Sequence, residues 1–235
     1  NDLSNNEYEV NRAKELIFQY GLKGTQPCQI AFDFHSTTAS MGCSLVVYGR
    51  RFNDLALAAL IQHRLGLPIY LHECEISQTG FLVESWPCGL VVEIGPVPQG
   101  LLHTRIINQT KLTLEVCLEE IAKVQNGTAL FPRKLIVYRH IESIDFPREA
   151  SNYPCALLHP DVQNNNWLPL NNQTPLFIDA KGKIVRSFDG KESLAPVFIN
   201  EAAYLEKNIA MSLTKREVWQ FQEEWGKSFR DLIST

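Results

Sequence analysis

Apolar positions in this chain follow two rhythms that alternate along its length. From Glu7 to Tyr20, Val10, Ala13, Leu16, Ile17 and Tyr20 recur at helical spacing and Gly21 with Gly24 closes the segment, which predicts a helix of about three to four turns. Cys28 to Phe34 is a short apolar run that ends in His35-Ser36-Thr37-Thr38. That pattern predicts a buried strand whose end hands polar side chains to a loop. Cys43–Tyr48, Leu67–Leu71 and Gly89–Ile94 predict further strands. Asn53–Leu65 predicts a helix with Leu55, Leu57, Ala58, Ile61 and Leu65 on its buried side, and Leu112–Val124 an amphipathic helix. Strands alternating with helices over residues 1–131 define an α/β domain with a largely parallel or mixed sheet.

After Phe131-Pro132 the texture changes. The Leu-Ile-Val-Tyr run at 135–138, Pro147, the Asn164 to Asn166 tract and Asp179-Ala180-Lys181-Gly182 alternate short apolar stretches with turn residues, so 132–214 is expected to be a smaller β-rich domain. From Lys215 to Ile233, Val218, Phe221, Trp225, Phe229 and Leu232 return to helical spacing. Residues 215–235 are therefore expected to form a terminal helix that packs on the body or on a partner subunit, and a homodimer is an expectation.

Composition narrows the function classes. In 235 residues, 45% hydrophobic and 10% aromatic, there is enough apolar material for a sizeable core. Twenty-two Lys plus Arg against 26 Asp plus Glu give a formal net charge of −4, without the basic stripe that a nucleic-acid partner needs. No run reaches the roughly 18 apolar residues of a membrane span, and Asn1-Asp2-Leu3-Ser4-Asn5-Asn6 has no signal pattern, so a cytoplasmic protein without membrane attachment is expected. Six cysteines (Cys28, Cys43, Cys74, Cys88, Cys117, Cys155) lack the close pairs of a structural zinc site and read as free thiols. The glycosylation-type triplets at Asn108, Asn126 and Asn172 read as chance.

Two strand ends carry candidate chemistry. His35 stands where a buried strand runs out, at the edge where open α/β sheets place ligands; it is either a metal ligand, with Asp33 as its orienting neighbour, or a hydrogen-bonded histidine in a Ser/Thr turn. Glu93 follows an apolar strand and precedes Gly95-Pro96-Val97-Pro98; it is either a general base or a surface carboxylate paired with a lysine. His72-Glu73-Cys74-Glu75 has His-x-x-Glu spacing, but on an extended segment positions three apart face opposite ways, which argues against a shared ion. His63, His103, His140 and His159 read as packed or hydrogen-bonded histidines.

Three ordered segments, Asp33-Phe34-His35-Ser36-Thr37-Thr38-Ala39-Ser40-Met41-Gly42, Glu93-Ile94-Gly95-Pro96-Val97-Pro98-Gln99-Gly100 and Pro196-Val197-Phe198-Ile199-Asn200-Glu201-Ala202-Ala203-Tyr204, resemble the aspartoacylase branch of the aspartoacylase/succinylglutamate desuccinylase family. The match runs from about Tyr8 to about Thr214 and includes His159-Pro160 and Trp167-Leu168-Pro169-Leu170. The resemblance implies a carboxypeptidase-like three-layer α/β domain with a mixed sheet, and a β-rich C-terminal domain that narrows the active-site entrance. It implies a zinc-dependent hydrolase of N-acyl amino acids, typically N-acetyl-L-aspartate, in which Glu93 assists attack of zinc-bound water. By the same resemblance His35 is the third zinc ligand, Tyr204 contacts the substrate and Glu201 supports the contact between domains. The family's His-Gly-Asn-Glu segment, source of the first two zinc ligands, and its Asp-Leu-Asn-Arg segment are not in this sequence. The expectation that follows is a chain missing an N-terminal piece and inactive alone, or else a non-catalytic homologue acting as a binding or assembly module. Ser77-Gln78-Thr79-Gly80-Phe81 stands where the mammalian branch carries an arginine.

Overall fold

The computed structural model describes residues 8–73, 80–190 and 192–234. The Asn1-Asp2-Leu3 start, the Cys74-Glu75 end of the His72 motif and Ser77 to Thr79 lie outside the described residues. Helices are α1 (Tyr8–Tyr20), α2 (Phe52–Leu65), α3 (Thr104–Gln125) and α4 (Glu223–Ile233). Strands are β1 (Ile30–Ser36), β2 (Cys43–Tyr48), β3 (Ile69–His72), β4 (Cys88–Ile94), β5 (Lys134–Asp145), β6 (Leu157–Leu158), β7 (Pro175–Ile178), β8 (Ile184–Ser187), β9 (Ala195–Val197) and β10 (Ile209–Gln220).

Seven strands form one mixed sheet in the order β1-β4-β2-β3-β5-β10-β9, and β6-β7-β8 form a small antiparallel sheet. Side chains alternate across the large sheet as the strand period requires. Leu45, Val47, Leu90 and Val92 face one way, into a core shared with Leu57 and Ile61 of α2, Cys117 of α3 and Phe229 of α4. Residues 54–61 of α2 are all buried, because this helix lies between the sheet and α4. Its C-terminus closes on Gly66 in the left-handed region, whose N–H donates to the Gln62 carbonyl at 2.7 Å. A second core, with Val162, Phe177, Met211 and Leu213, fills the β-rich part. A third, with Met41, Val46, Tyr70, Val91, Val197 and Phe198, joins the two parts on the other face of the sheet.

The expected terminal helix from Lys215 requires correction. Lys215–Gln220 is the end of β10, paired with β5 down to Gln220 opposite Lys134, and the helix occupies only Glu223–Ile233. Trp225 and Phe229 sit in the chain's own core, so the apolar stripe that suggested a partner subunit closes this molecule instead. α3 begins at Thr104, eight residues before the expected Leu112, and β5 runs on to Asp145. The long β5 and β10 belong to both parts: Val137 to Arg139 pair with β3 in the α/β sheet, while Ile144 and Met211 lie in the β-rich core. The five described cysteines are free. Among the described residues no helix is long and apolar enough to cross a membrane.

Candidate active site

β1 and β4 run parallel with His35 opposite Glu93 and Asp33 opposite Val91. Partners in a ladder share a face, so this register sets the imidazole and the carboxylate side by side at the strand ends. His35 Nε2 lies 2.8 Å from Glu93 Oε1, and His35 Nδ1 lies 3.1 Å from Asp33 Oδ1. Glu93 is only 7% exposed, and its partner is the imidazole, which removes the reading of a surface carboxylate paired with a lysine. The hydrogen bond to Asp33, then that to Glu93, raises the His35 pKa to about 10 against the opposing effect of burial. In this state the imidazole is charged and donates from both nitrogens.

The strand ends are locked by close backbone approach. Thr37 N–H donates to the Ile94 carbonyl at 3.1 Å and Val97 N–H to the Thr37 carbonyl at 3.0 Å. A Cβ added at Gly95 would collide with the Thr37 carbonyl oxygen, so only glycine lets the two strand ends come this near.

The opposing wall comes from the β-rich part. Phe198 and Asn200 both adopt left-handed backbone conformations, at φ +53° and +57°, and turn the chain so that Glu201 points back to the end of β1. Its Oε2 accepts from the Thr37 hydroxyl, from Thr38 N–H at 2.9 Å and from Ala39 N–H at 3.0 Å. The Thr38 hydroxyl accepts from Ala202 N–H at 2.8 Å, completing a reciprocal clasp. Burial pushes the Glu201 carboxyl up, but the Thr37 hydroxyl and the Ala203, Ala39 and Thr38 donors outweigh it and hold the pKa below the usual carboxylate range. Tyr204, one turn further on, is thereby carried into the pocket wall.

Between these walls is a cavity of about 200 Å³ lined by Asp33, His35, Glu93, Tyr48, Tyr204 and Lys207 among others. The structure thus brings Asp33, His35, Glu93 and Tyr204 together, with Glu201 as the anchor. Sequence reasoning missed Tyr48, Phe81 and Lys207. Tyr48 had a signal, since it shares parity with Val46 on β2 and so must face the same side as Glu93; Phe81 and Lys207 sit on loops with no period to read. Of the other histidines, His72 also lines this cavity, whereas His140 is fully buried with its Nδ1 3.0 Å from the Tyr70 hydroxyl and His159 Nδ1 accepts from Asp161 N–H at 3.2 Å. Among the described residues there is no group of three His, Cys, Asp or Glu able to hold a metal ion. The Asp33–His35 pair has the form of an oriented metal-ligating histidine, but the described residues do not by themselves complete a zinc site.

A mixed sheet with helices on its core face, and a polar cluster where β1 and β4 end under a β-rich cover, defines a carboxypeptidase-like hydrolase fold. Residues 1–121 match the succinylglutamate desuccinylase/aspartoacylase catalytic domain and residues 133–216 the AstE/AspA barrel-sandwich hybrid domain. The chain belongs to the succinylglutamate desuccinylase/aspartoacylase family. It is 58% identical over 231 residues to a protein of Prochlorococcus marinus named "Probable aspartoacylase", covering 97% of this chain and 75% of that one. A protein of the same name from Parasynechococcus marenigrum is 49% identical over 97% of this chain and 75% of its own length. Among solved structures, a mutant of murine aminoacylase 3 superposes with a TM-score of 0.82 at 29% identity, over 94% of this chain and 73% of that one.

Proposed function

We propose that this chain forms the catalytic body of a zinc-dependent amidohydrolase that cleaves N-acyl amino acids to a carboxylate and a free amino acid. The observation that carries the proposal is the buried Glu93 carboxylate, held by strand register against His35 at the base of a pocket. In this reading Glu93 takes a proton as water adds to the amide carbonyl carbon. It returns that proton to the nitrogen as the C–N bond breaks, so that the poor amine leaving group departs neutral. Tyr204 contacts the substrate from the opposite wall, and Asp33 fixes the imidazole's orientation. His35 would be one zinc ligand, with the remaining ligands supplied by residues other than those described. N-acetyl-L-aspartate is the substrate implied by resemblance and the first to assay.

The test is zinc content and hydrolysis of a panel of N-acyl amino acids, with this chain and with the full product of its gene. One zinc per chain with turnover supports the proposal; one zinc per chain without turnover of any member overturns it. A second reading, a non-catalytic binding or assembly module, takes the described residues, which hold no group of three metal donors, as the whole of the site. That reading expects no turnover from either protein.

A further inference from the structure

At the other end of β3 lies a larger concavity, about 710 Å³, that shares no described lining residue with the candidate active site. β3 starts at Ile69, paired with Val137, whereas β5 begins earlier, at Lys134. Pro68 has no N–H and cannot carry the ladder on. Gln62 of α2 stands in for a strand there: its Nε2 donates to the Leu67 and Ile136 carbonyls, both at 2.9 Å, and its Oε1 accepts from Ile136 N–H at 2.7 Å. The result is a groove floored by Leu67, Pro68, Ile136 and Val218, its inner wall already satisfied in hydrogen bonds.

Two rings complete it. Tyr138 and Trp167 meet edge to face with centroids 4.8 Å apart. Trp167 is held at φ +69°, a conformation a bulky side chain rarely adopts, by its backbone N–H on the Pro196 carbonyl and its indole N–H on the Met41 carbonyl, both at 2.9 Å. The indole is therefore fixed before any ligand arrives. Charge follows a matching pattern on β5 and β10. On one face of the pair Arg139 holds Glu217 and Lys215 holds Glu192, each at 2.8 Å. On the groove face stand Lys134 and, opposite Tyr138 in the ladder, Arg216; neither has a carboxylate partner among the described residues, and no described lining residue is acidic.

From this juxtaposition we propose that the groove is a second ligand site, for an organic anion with an apolar, ring-bearing body: the ring lies against Trp167 and Tyr138 over the Ile136 and Val218 floor, and the carboxylate sits on the Arg216 guanidinium. The planar fork of arginine pairs a carboxylate with two parallel hydrogen bonds, and Lys134 adds attraction from further along β5. A preformed, mostly apolar concavity with a few fixed polar groups is the usual build of a small-molecule site. The proposal does not depend on the reading of the candidate active site as a hydrolase.

The test is calorimetric titration of the chain with phenylpropanoate and with its neutral amide, phenylpropanamide, alongside sedimentation of the same samples. Phenylpropanoate should bind about fivefold more tightly than the amide, as one partly exposed charge pair gives. Arg216→Gln should remove that difference by weakening the carboxylate alone, and Lys134→Gln should narrow it by less. Val218→Asp, which sets a carboxylate on the exposed floor, should abolish binding of both probes. Lys207→Gln, in the wall of the candidate active site, should leave both affinities unchanged. Equal binding of the two probes overturns the proposal, as does an unchanged ratio in Arg216→Gln or no saturable binding of phenylpropanoate. Loss of binding in Lys207→Gln also overturns it, because the probe would then occupy the active-site cavity. So does a dimer that Val218→Asp dissociates, because the groove would then be an interface between copies of this chain.

Discussion

The two walls of the pocket are fixed by different means. On the β1/β4 side, His35 and Glu93 are neighbours because seven consecutive register pairs from Ile30–Cys88 to Ser36–Ile94 leave them no alternative. On the β-rich side no ladder reaches Tyr204; its position depends on a loop turned by two left-handed residues and held by the clasp of Glu201 and Ala202 on residues 37–39. A wall made by register is held by many weak bonds and tolerates the loss of any one. A wall hung from one short clasp moves when its main carboxylate goes. Damage to the first should therefore appear in chemistry, and damage to the second in substrate binding and stability.

Four experiments press on this contrast, in descending order of expected effect. Glu93→Gln keeps shape and ladder but removes the proton acceptor, and should lower kcat by roughly 10²–10⁴-fold with the melting temperature little changed. A full-rate mutant would take Glu93 out of the mechanism. Glu201→Ala strips the anchor from the Thr38 and Ala39 N–H groups, and should destabilise the protein by about 2–4 kcal/mol in denaturant unfolding while raising KM more than it lowers kcat. An unchanged KM would show that the clasp does not position Tyr204. Gly95→Ala forces the strand ends apart and should cost about 1–3 kcal/mol. Because it disturbs the register wall, its activity loss should fall on kcat. The smallest effect is in acid. The Glu201 pKa is depressed in the folded chain, so its contribution to stability is complete above the unfolded carboxylate value and is lost as pH falls through the folded one. Thermal melts between pH 3 and 7 should show wild type losing more stability toward acid than Glu201→Gln; parallel curves would exclude the carboxylate as the anchor.

The same contrast explains what could be read from the sequence. Strand parity made Asp33, His35 and Glu93 legible, since an apolar run that ends in polar residues fixes both an edge and a face. The Glu201 to Tyr204 segment has no period; it became legible through family resemblance, and its partners Thr37 to Ala39 are 162 to 164 positions away. The misread tail has a physical cause. In Lys215-Arg216-Glu217-Val218-Trp219-Gln220 half-buried and exposed positions do alternate, but both faces carry polar residues, so the alternation has no contrast in hydropathy. Trp219 settles there through its indole N–H on Glu217 at 2.8 Å and the Arg50 guanidinium over its ring. Val218 and Phe221 then joined Trp225 and Phe229 in an apparent helical stripe that the structure divides between a strand and a helix.

The shared strands β5 and β10 bear on how this molecule can be taken apart. Each is 12 residues long, and each contributes its two ends to different cores. Cutting the gene near residue 132 would not release two independent modules: the first piece would lose β5 and leave β3 with an open edge, a template for aggregation. The β-rich piece would keep the β5–β10 pair with Leu135 and Val137 stripped of the core that covers them. Proteolysis, domain exchange and truncation should therefore treat the chain as a single cooperative unit, although two domain descriptions fit its sequence.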